Sequence, residues 1–176
     1  IVNTLNLFTI ISYIMGILFS KPPSSHLIIR KIQATDLRDQ YLDLLSNLYE
    51  NIDIYSYPYE NFENFVNNLN DKHVVLVIED PNEGIIVGTG TIIIEPKVSH
   101  NFGMVGHIED VVVLPDYQGL GIGTVIVEKL VSYAESQNCY KCILNCTNDK
   151  IPFYEKCNFT SKNCEMCYYF DSNSDS

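Results

Sequence analysis

Positive charge is what this chain has least of. Eleven lysines and arginines stand against 22 aspartates and glutamates in 176 residues, a formal net charge of −11. That balance excludes a protein that tracks nucleic acid through a general positive field, and it requires any anionic ligand to be held by local donors. Cysteine is scarce too. Six residues, all from Cys139 onward, are too few and too clustered to frame a small disulfide-stapled module, so reduced thiols in a cytoplasmic protein are expected. There is no internal repeat. With 46% hydrophobic and 19% charged residues, the composition is that of one globular domain with a real core.

Charge is missing altogether from Ile1 to Ser20, "IVNTLNLFTIISYIMGILFS". The length approaches the ~20 residues of a membrane-spanning helix. Asn3, Thr4, Asn6, Thr9, Ser12 and Ser20 interrupt it, however, and no basic residue precedes it, which counts against both a clean span and a signal peptide. Three readings stay open: a non-native extension before a start at Met15, an anchor or signal that would associate residues 1–20 with a membrane, or a packed helix or arm. "SKPPSSH" then reads as a linker, because its prolines and serines cannot continue a helix. The expected domain therefore covers 27–170, preceded by residues 1–26 and followed by the polar tail "DSNSDS" at 171–176.

Within that domain the chain alternates in type. "HLIIRKI" reads as a strand; Thr35-Asp36 opens a helix with Leu37, Tyr41, Leu44, Leu45 and Leu48 at helical spacing. A second helix runs from Tyr59 or Glu60 to Leu69 with Phe62, Phe65, Val66 and Leu69 on one face, and the tyrosine-rich "NIDIYSYPYE" between them is either a pocket lining or a loop over the core. "HVVLVIED", the turn "PNEG" and "IIVGTGTIIIE" form a hairpin, and "GHIEDVVVL" a third strand in that series. A helix over "GTVIVEKLVSYAESQ", a strand "CYKCILNC", a short helix "DKIPFYEKC" and a closing strand "CEMCYYF" complete the order β, α, α, β, β, β, α, β, α, β. This is an α/β domain with a mixed sheet.

Between the third strand of that series and the long helix lies "YQGLGIGT", with Gly119, Gly121 and Gly123 at alternate positions. Helix starts leave about four amides unpaired and carry partial positive charge, so such a turn suits a phosphate. The P-loop pattern fails because no lysine follows the glycines at the required place. The dinucleotide pattern fails because its third glycine would fall at Thr124. What fits is Q-x-x-G-x-G, made by Gln118, Gly121 and Gly123.

That pattern resembles the pyrophosphate loop, R/Q-x-x-G-x-G/A, of the GNAT superfamily of N-acetyltransferases. With its flanks "GHIEDVVVLPDYQGLGIG", "CYKCILNC" and "FYEKCNF", the chain is similar to one branch, the glucosamine-6-phosphate N-acetyltransferases of eukaryotes. The resemblance is strong from about Ile92 to Phe159 and weaker from Leu27 to Gly90. It implies a GNAT fold, a mixed and mostly antiparallel sheet flanked by helices, with acetyl-CoA as co-substrate and no metal. It implies that Val111, Val112 and Val113 pair with the pantetheine arm and that Gln118, Gly119, Leu120, Gly121, Ile122, Gly123 and Thr124 hold the pyrophosphate. Tyr154, Glu155 and Lys156 would lie beside the cofactor. Glu109 and Asp110 would lie near the sugar, with Lys97 to His100 and Tyr140-Lys141 around its phosphate. The family's homodimer, with substrate sites drawing on both chains, is implied as well.

Elementary chemistry supports those roles. Acetyl transfer needs an unprotonated amine, a polarised carbonyl and a stabilised thiolate. On a regular strand Glu109 and Asp110 face opposite ways, so they form one paired site only if a bulge intervenes. Glu109 is the favoured base, a backbone amide near Val111 can donate to the oxyanion, and the Tyr154 phenol suits the departing sulfur. His107 is given no role. The pairs Cys139-x-x-Cys142 and Cys164-x-x-Cys167 suggest zinc, but in strands such pairs are expected to face opposite ways, and no metal is assigned.

Three positions depart from the branch. Asn145 stands where an acidic residue is usual, leaving a backbone role; Cys167-Tyr168-Tyr169 stands where an arginine reaches the phosphate; Leu48-Tyr49 stands where a threonine is expected. The phosphate must then lean on Lys97, Lys141 or another residue. A transferase for another small amine and a non-catalytic acyl-CoA-binding module are the rival readings.

Overall fold

The computed structural model describes residues 27–36, 38–49 and 56–168. The uncharged N-terminal stretch, Leu37, the first half of "NIDIYSYPYE", Tyr169 and the polar tail lie outside the described residues. Five strands form one sheet in the order β1-β2-β3-β4-β5: β1 is Ile28–Lys31, β2 His73–Asp80, β3 Ile85–Pro96, β4 Met104–Val113 and β5 Cys139–Ile143. The first four pair antiparallel, and β5 joins β4 in parallel. Helices α1 (Arg38–Leu45) and α2 (Tyr59–Asn68) follow β1, α3 (Ile122–Ser136) links β4 to β5, and α4 (Ile151–Lys156) follows β5.

Side-chain alternation builds two cores, one on each face of the sheet. Val74, Ile78, Val87, Ile92, Ile94, Ile108 and Val113 meet Ile122, Ile126, Leu130 and Ala134 of α3. Val75, Val77, Ile86 and Val112 meet Tyr41 and Leu44 of α1 and Phe62 and Val66 of α2. Ile126, Leu130 and Leu44 are fully buried, each stabilising the fold by about 1.5–3 kcal/mol. Close approach of α3 depends on Gly90, where a β-carbon would stand 2.6 Å from Ile126 Cγ2.

The early helix is shorter than its apolar spacing predicts. It ends at Leu45, and Leu48 and Tyr49 are exposed. Ser46 Oγ donates to the Asp43 carbonyl, and Asn47 Nδ2 to the carbonyls of Asp43 and Leu44. These side chains take acceptors that a continuing helix would need. The closing strand is a second correction: Cys164–Tyr168, the described part of "CEMCYYF", is in no strand, with Met166 and Tyr168 exposed. Alternating apolar residues make a strand only against a partner edge, and this segment reaches none among the described residues.

One ion cluster ties β1 to the α1 entry. Arg30 Nη1 and Nη2 donate to Asp36 Oδ2 and Oδ1 at 2.9 and 2.6 Å, Nε donates to Glu79 Oε2 at 2.9 Å, and the Gln33 amide also donates to Asp36. Asp36 is buried. Asp36→Ala is therefore expected to lower stability by about 3 kcal/mol, since it strips a mostly buried guanidinium of its bidentate partner; urea unfolding measures it.

Candidate active site

Strand β4 separates from β5 midway. Their register runs from Met104↔Cys139 to His107↔Ile143 and stops, while β4 continues to Val113 with only β3 beside it. The backbone of Ile108 to Val113 thus presents one edge to a cleft between the two strands. Val111, Val112 and Val113 lie on that edge, with Val112 and Val113 anchored in opposite cores.

At the mouth of the cleft lies a bulge. Thr91 faces Glu109 and Thr89 faces Val112, so Asp110 and Val111 together oppose Gly90. Asp110 takes φ 52°, a left-handed conformation that aspartate tolerates better than most residues. This is the bulge on which a joint role for Glu109 and Asp110 depends. Tyr49 donates its hydroxyl to Asp110 Oδ1 at 2.6 Å. Glu109 is exposed at the rim, yet the surrounding protein removes enough water to raise its pKa above the ordinary carboxylate value. The Asp110 charge adds to the rise, His107 opposes it, and Glu165 contributes weakly.

The loop after β4 is held from both ends. Tyr117 is buried and donates to Asp80 Oδ2 at 2.8 Å, and Gln118 Nε2 donates to the Val113 carbonyl at 3.0 Å. Gln118 thereby braces the strand end. Gly119 (φ 76°) and Gly121 (φ 80°) adopt left-handed backbone, and Gly121 caps α3 with no side-chain hydrogen bond to its first amides. Gly123 serves differently: a β-carbon there would meet the Phe153 ring at 3.2 Å. Two glycines thus shape the turn and the third lets α4 pack on the start of α3. Leu120 is exposed, Ile122 is buried, and the amides up to Thr124 precede the first helical bond, Val125 N to Gly121 O. A cluster of uncapped donors at a fifteen-residue helix suits a pyrophosphate.

Helix α4 turns Tyr154 toward this cleft. Its ring lies edge-on to Phe153 and Phe159, and it is half-buried. Burial pushes the phenol up to about 12, with smaller effects from nearby Cys146, Cys157 and Glu109, so it keeps its proton at neutral pH. Glu155 and Lys156 are exposed on the same helix.

Residues expected around a sugar phosphate fall into two groups. His100 stacks on Tyr140 at 4.2 Å, and Lys141 Nζ lies 5.7 Å from the same ring. The single turn Ser99–Phe102 carries His100, Asn101 and Phe102 at φ 55–59°. Lys97, by contrast, is committed: its Nζ pairs with Glu95 Oε1 at 2.5 Å, and His107 Nε2 donates to the other carboxylate oxygen at 2.8 Å. Asn145 is exposed beyond the end of β5. Tyr49 and Glu95 were missed by sequence reasoning. Tyr49 was visible only as an unexpected residue at the helix end, and nothing local marked Glu95.

The cysteine geometry needs correction. A register shift at the start of the β4–β5 ladder skips Tyr140, so Cys139 and Cys142 both pack toward α3 rather than facing opposite ways. All six thiols are free. Among the described residues no group of three or more His, Cys, Asp or Glu side chains is placed to hold a metal, and no helix is long and apolar enough to cross a membrane.

A mixed sheet whose parallel pair ends early beside a bulge, with a glycine turn opening the next helix, is the arrangement that the resemblance to the GNAT superfamily implies. The acetyltransferase (GNAT) family profile matches residues 37–159, and the chain belongs to that family and is an acetyltransferase. It is 37% identical over 143 residues to the glucosamine 6-phosphate N-acetyltransferase of Arabidopsis thaliana, covering 81% of this chain and 96% of that one. The protein of the same name from Candida albicans is 36% identical over 141 residues, covering 80% and 94%. The crystal structure of the Arabidopsis thaliana enzyme superposes with a TM-score of 0.78 at 38% identity, covering 82% of this chain and 99% of that chain.

Proposed function

We propose that the chain transfers the acetyl group of acetyl-CoA to the 2-amino group of glucosamine 6-phosphate, giving N-acetylglucosamine 6-phosphate for UDP-N-acetylglucosamine synthesis in the cytoplasm. The observation that carries this reading is its likeness, along nearly their whole length, to relatives named for that reaction.

Acetyl-CoA supplies an activated thioester. The uncapped amides from Gly119 to Thr124 hold its pyrophosphate, and the open edge of β4 at Val111 to Val113 receives the pantetheine arm as an added strand. Glu109, with its raised basicity, takes the proton of the sugar ammonium directly or through one water. A backbone amide at the bulge, near Val111, donates to the oxygen on which charge develops. Tyr154 donates to the leaving sulfur. A thiol of pKa ~8.5 is a stronger acid than a phenol held near 12, so Tyr154 stabilises the thiolate by hydrogen bonding and need not surrender its proton. With Lys97 committed to Glu95, Lys141 and His100 carry the attraction for the phosphate.

The same reading includes a homodimer with shared substrate sites. Exposed Ile93, Val98, Phe102 and Tyr140 offer apolar surface for a second copy, and sedimentation velocity is expected to give about twice the chain mass.

Thiol release from acetyl-CoA tests the acceptor, with glucosamine 6-phosphate, glucosamine and a polyamine compared side by side. Preference for the phosphosugar supports the reading, and preference for another amine replaces it. Cofactor binding without release to any amine leaves a non-catalytic module. Gly121→Ala is expected to raise KM for acetyl-CoA about tenfold with a smaller effect on kcat, because alanine strains a left-handed residue by about 1–2 kcal/mol; steady-state kinetics against acetyl-CoA checks it.

A further inference from the structure

Tyr49 lies past the end of α1 at Leu45, outside the reach of its helical repeat, and it is 46% exposed. It is nevertheless well fixed. Its amide donates to the Leu45 carbonyl, the Leu48 amide does the same, and the side chains of Ser46 and Asn47 close the helix end beneath it. Tyr41 and Leu44, both buried, anchor that helix to the sheet. The phenol is thereby aimed at the bulge, where it meets Asp110 Oδ1 at 2.6 Å.

Of two carboxylates adjacent in sequence, the one whose oxygen is already taken up by a donor is the less available to a substrate. Asp110 has such a donor in Tyr49, whereas Glu109 stands at the rim. We infer that Tyr49 is a positioning residue, whose hydrogen bond engages the Asp110 side chain in the left-handed bulge and so leaves Glu109, at the rim, as the carboxylate available to take the amine proton. The kinetic side of this inference rests on the acetyl-transfer reading above; the electrostatic side does not.

The groups around the pair are few. Glu109 faces Asp110 and His107 on its own strand, Glu165 from the C-terminal segment, Tyr154 from α4 and Tyr49 from the end of α1; Asp110 also faces Tyr41. The Asp110 charge is one cause of the raised Glu109 pKa. Sharing that charge with a phenol proton moderates the effect.

The test is a double-mutant cycle with Tyr49→Phe and Asp110→Asn on the full chain, reading the Glu109 carboxyl by carbon NMR titration and kcat/KM for glucosamine 6-phosphate against pH. Asparagine tolerates the left-handed conformation and removes only the charge. Tyr49→Phe should move the Glu109 midpoint up, Asp110→Asn should move it down, and the double variant should match Asp110→Asn alone. Tyr49→Phe should also lower kcat/KM for the acceptor roughly tenfold, because the bulge that sets the position of Glu109 loses its anchor, with KM for acetyl-CoA unchanged. An unmoved Glu109 midpoint in Tyr49→Phe, or an equal movement in the Asp110→Asn background, overturns the inference. If the native protein acetylates no amino sugar while the midpoints behave as stated, the acceptor assignment falls and the positioning role stands. Should Tyr49→Phe fail to fold, Asp110→Asn reads the contact from its other end. The Tyr49 phenol, raised chiefly by its bond to Asp110, should then ionise at lower pH, and no change there also overturns the inference.

Discussion

Glu109→Gln is expected to lower kcat by about 10²–10⁴-fold, the span of a positioned general base, with KM for acetyl-CoA nearly unchanged. Glutamine keeps the shape and one acceptor oxygen but cannot hold the ammonium proton. The pH profile carries the more specific signature. Burial and the Asp110 charge raise the Glu109 pKa, so the native rate falls as pH drops through a point above the ordinary carboxylate range. In Glu109→Gln the residual rate should lose that acid limb. A variant that kept both the limb and most of the rate would assign the proton to another group.

Tyr154→Phe is expected to lower kcat by about 10²-fold, comparable with removal of one preorganised donor from developing charge. Phenylalanine preserves the ring contacts with Phe153 and Phe159, so thermal stability should change little and cofactor affinity less than turnover. Because burial pushes the phenol up to about 12, Tyr154 contributes no alkaline limb near neutral pH. A pre-steady-state measurement of thiol release separates slowed chemistry from weakened binding. If only the affinity for acetyl-CoA fell, the hydroxyl would be a cofactor contact and not a partner of the leaving sulfur.

Much of the site was legible along the chain because its signals are local. The apolar runs "HVVLVIED" and "IIVGTGTIIIE", joined through "PNEG", marked β2 and β3, and the glycines of "YQGLGIGT" marked a strand-to-helix turn. Even there the division of labour was hidden: Gly119 and Gly121 set the turn, while Gly123 accommodates Phe153 from a helix thirty positions on. The failures are equally physical. Cys164–Tyr168, the described part of "CEMCYYF", has the apolar content of a strand but pairs with no edge among the described residues, and the spacing of Cys139 and Cys142 misled because the ladder skips a residue between them.

Sequence by itself determined most of the elements and the glycine turn that opens α3, since each depends on residues two to four positions apart and on backbone freedom at single glycines. Only the tertiary structure decided that β4 bulges at Asp110, that Lys97 is committed to Glu95, and that Tyr49 reaches a carboxylate 61 positions away. The reason is range. Periodicity fixes which face a side chain takes, but a register shift or a contact between distant segments follows from how the packed elements meet, and no local pattern encodes that meeting.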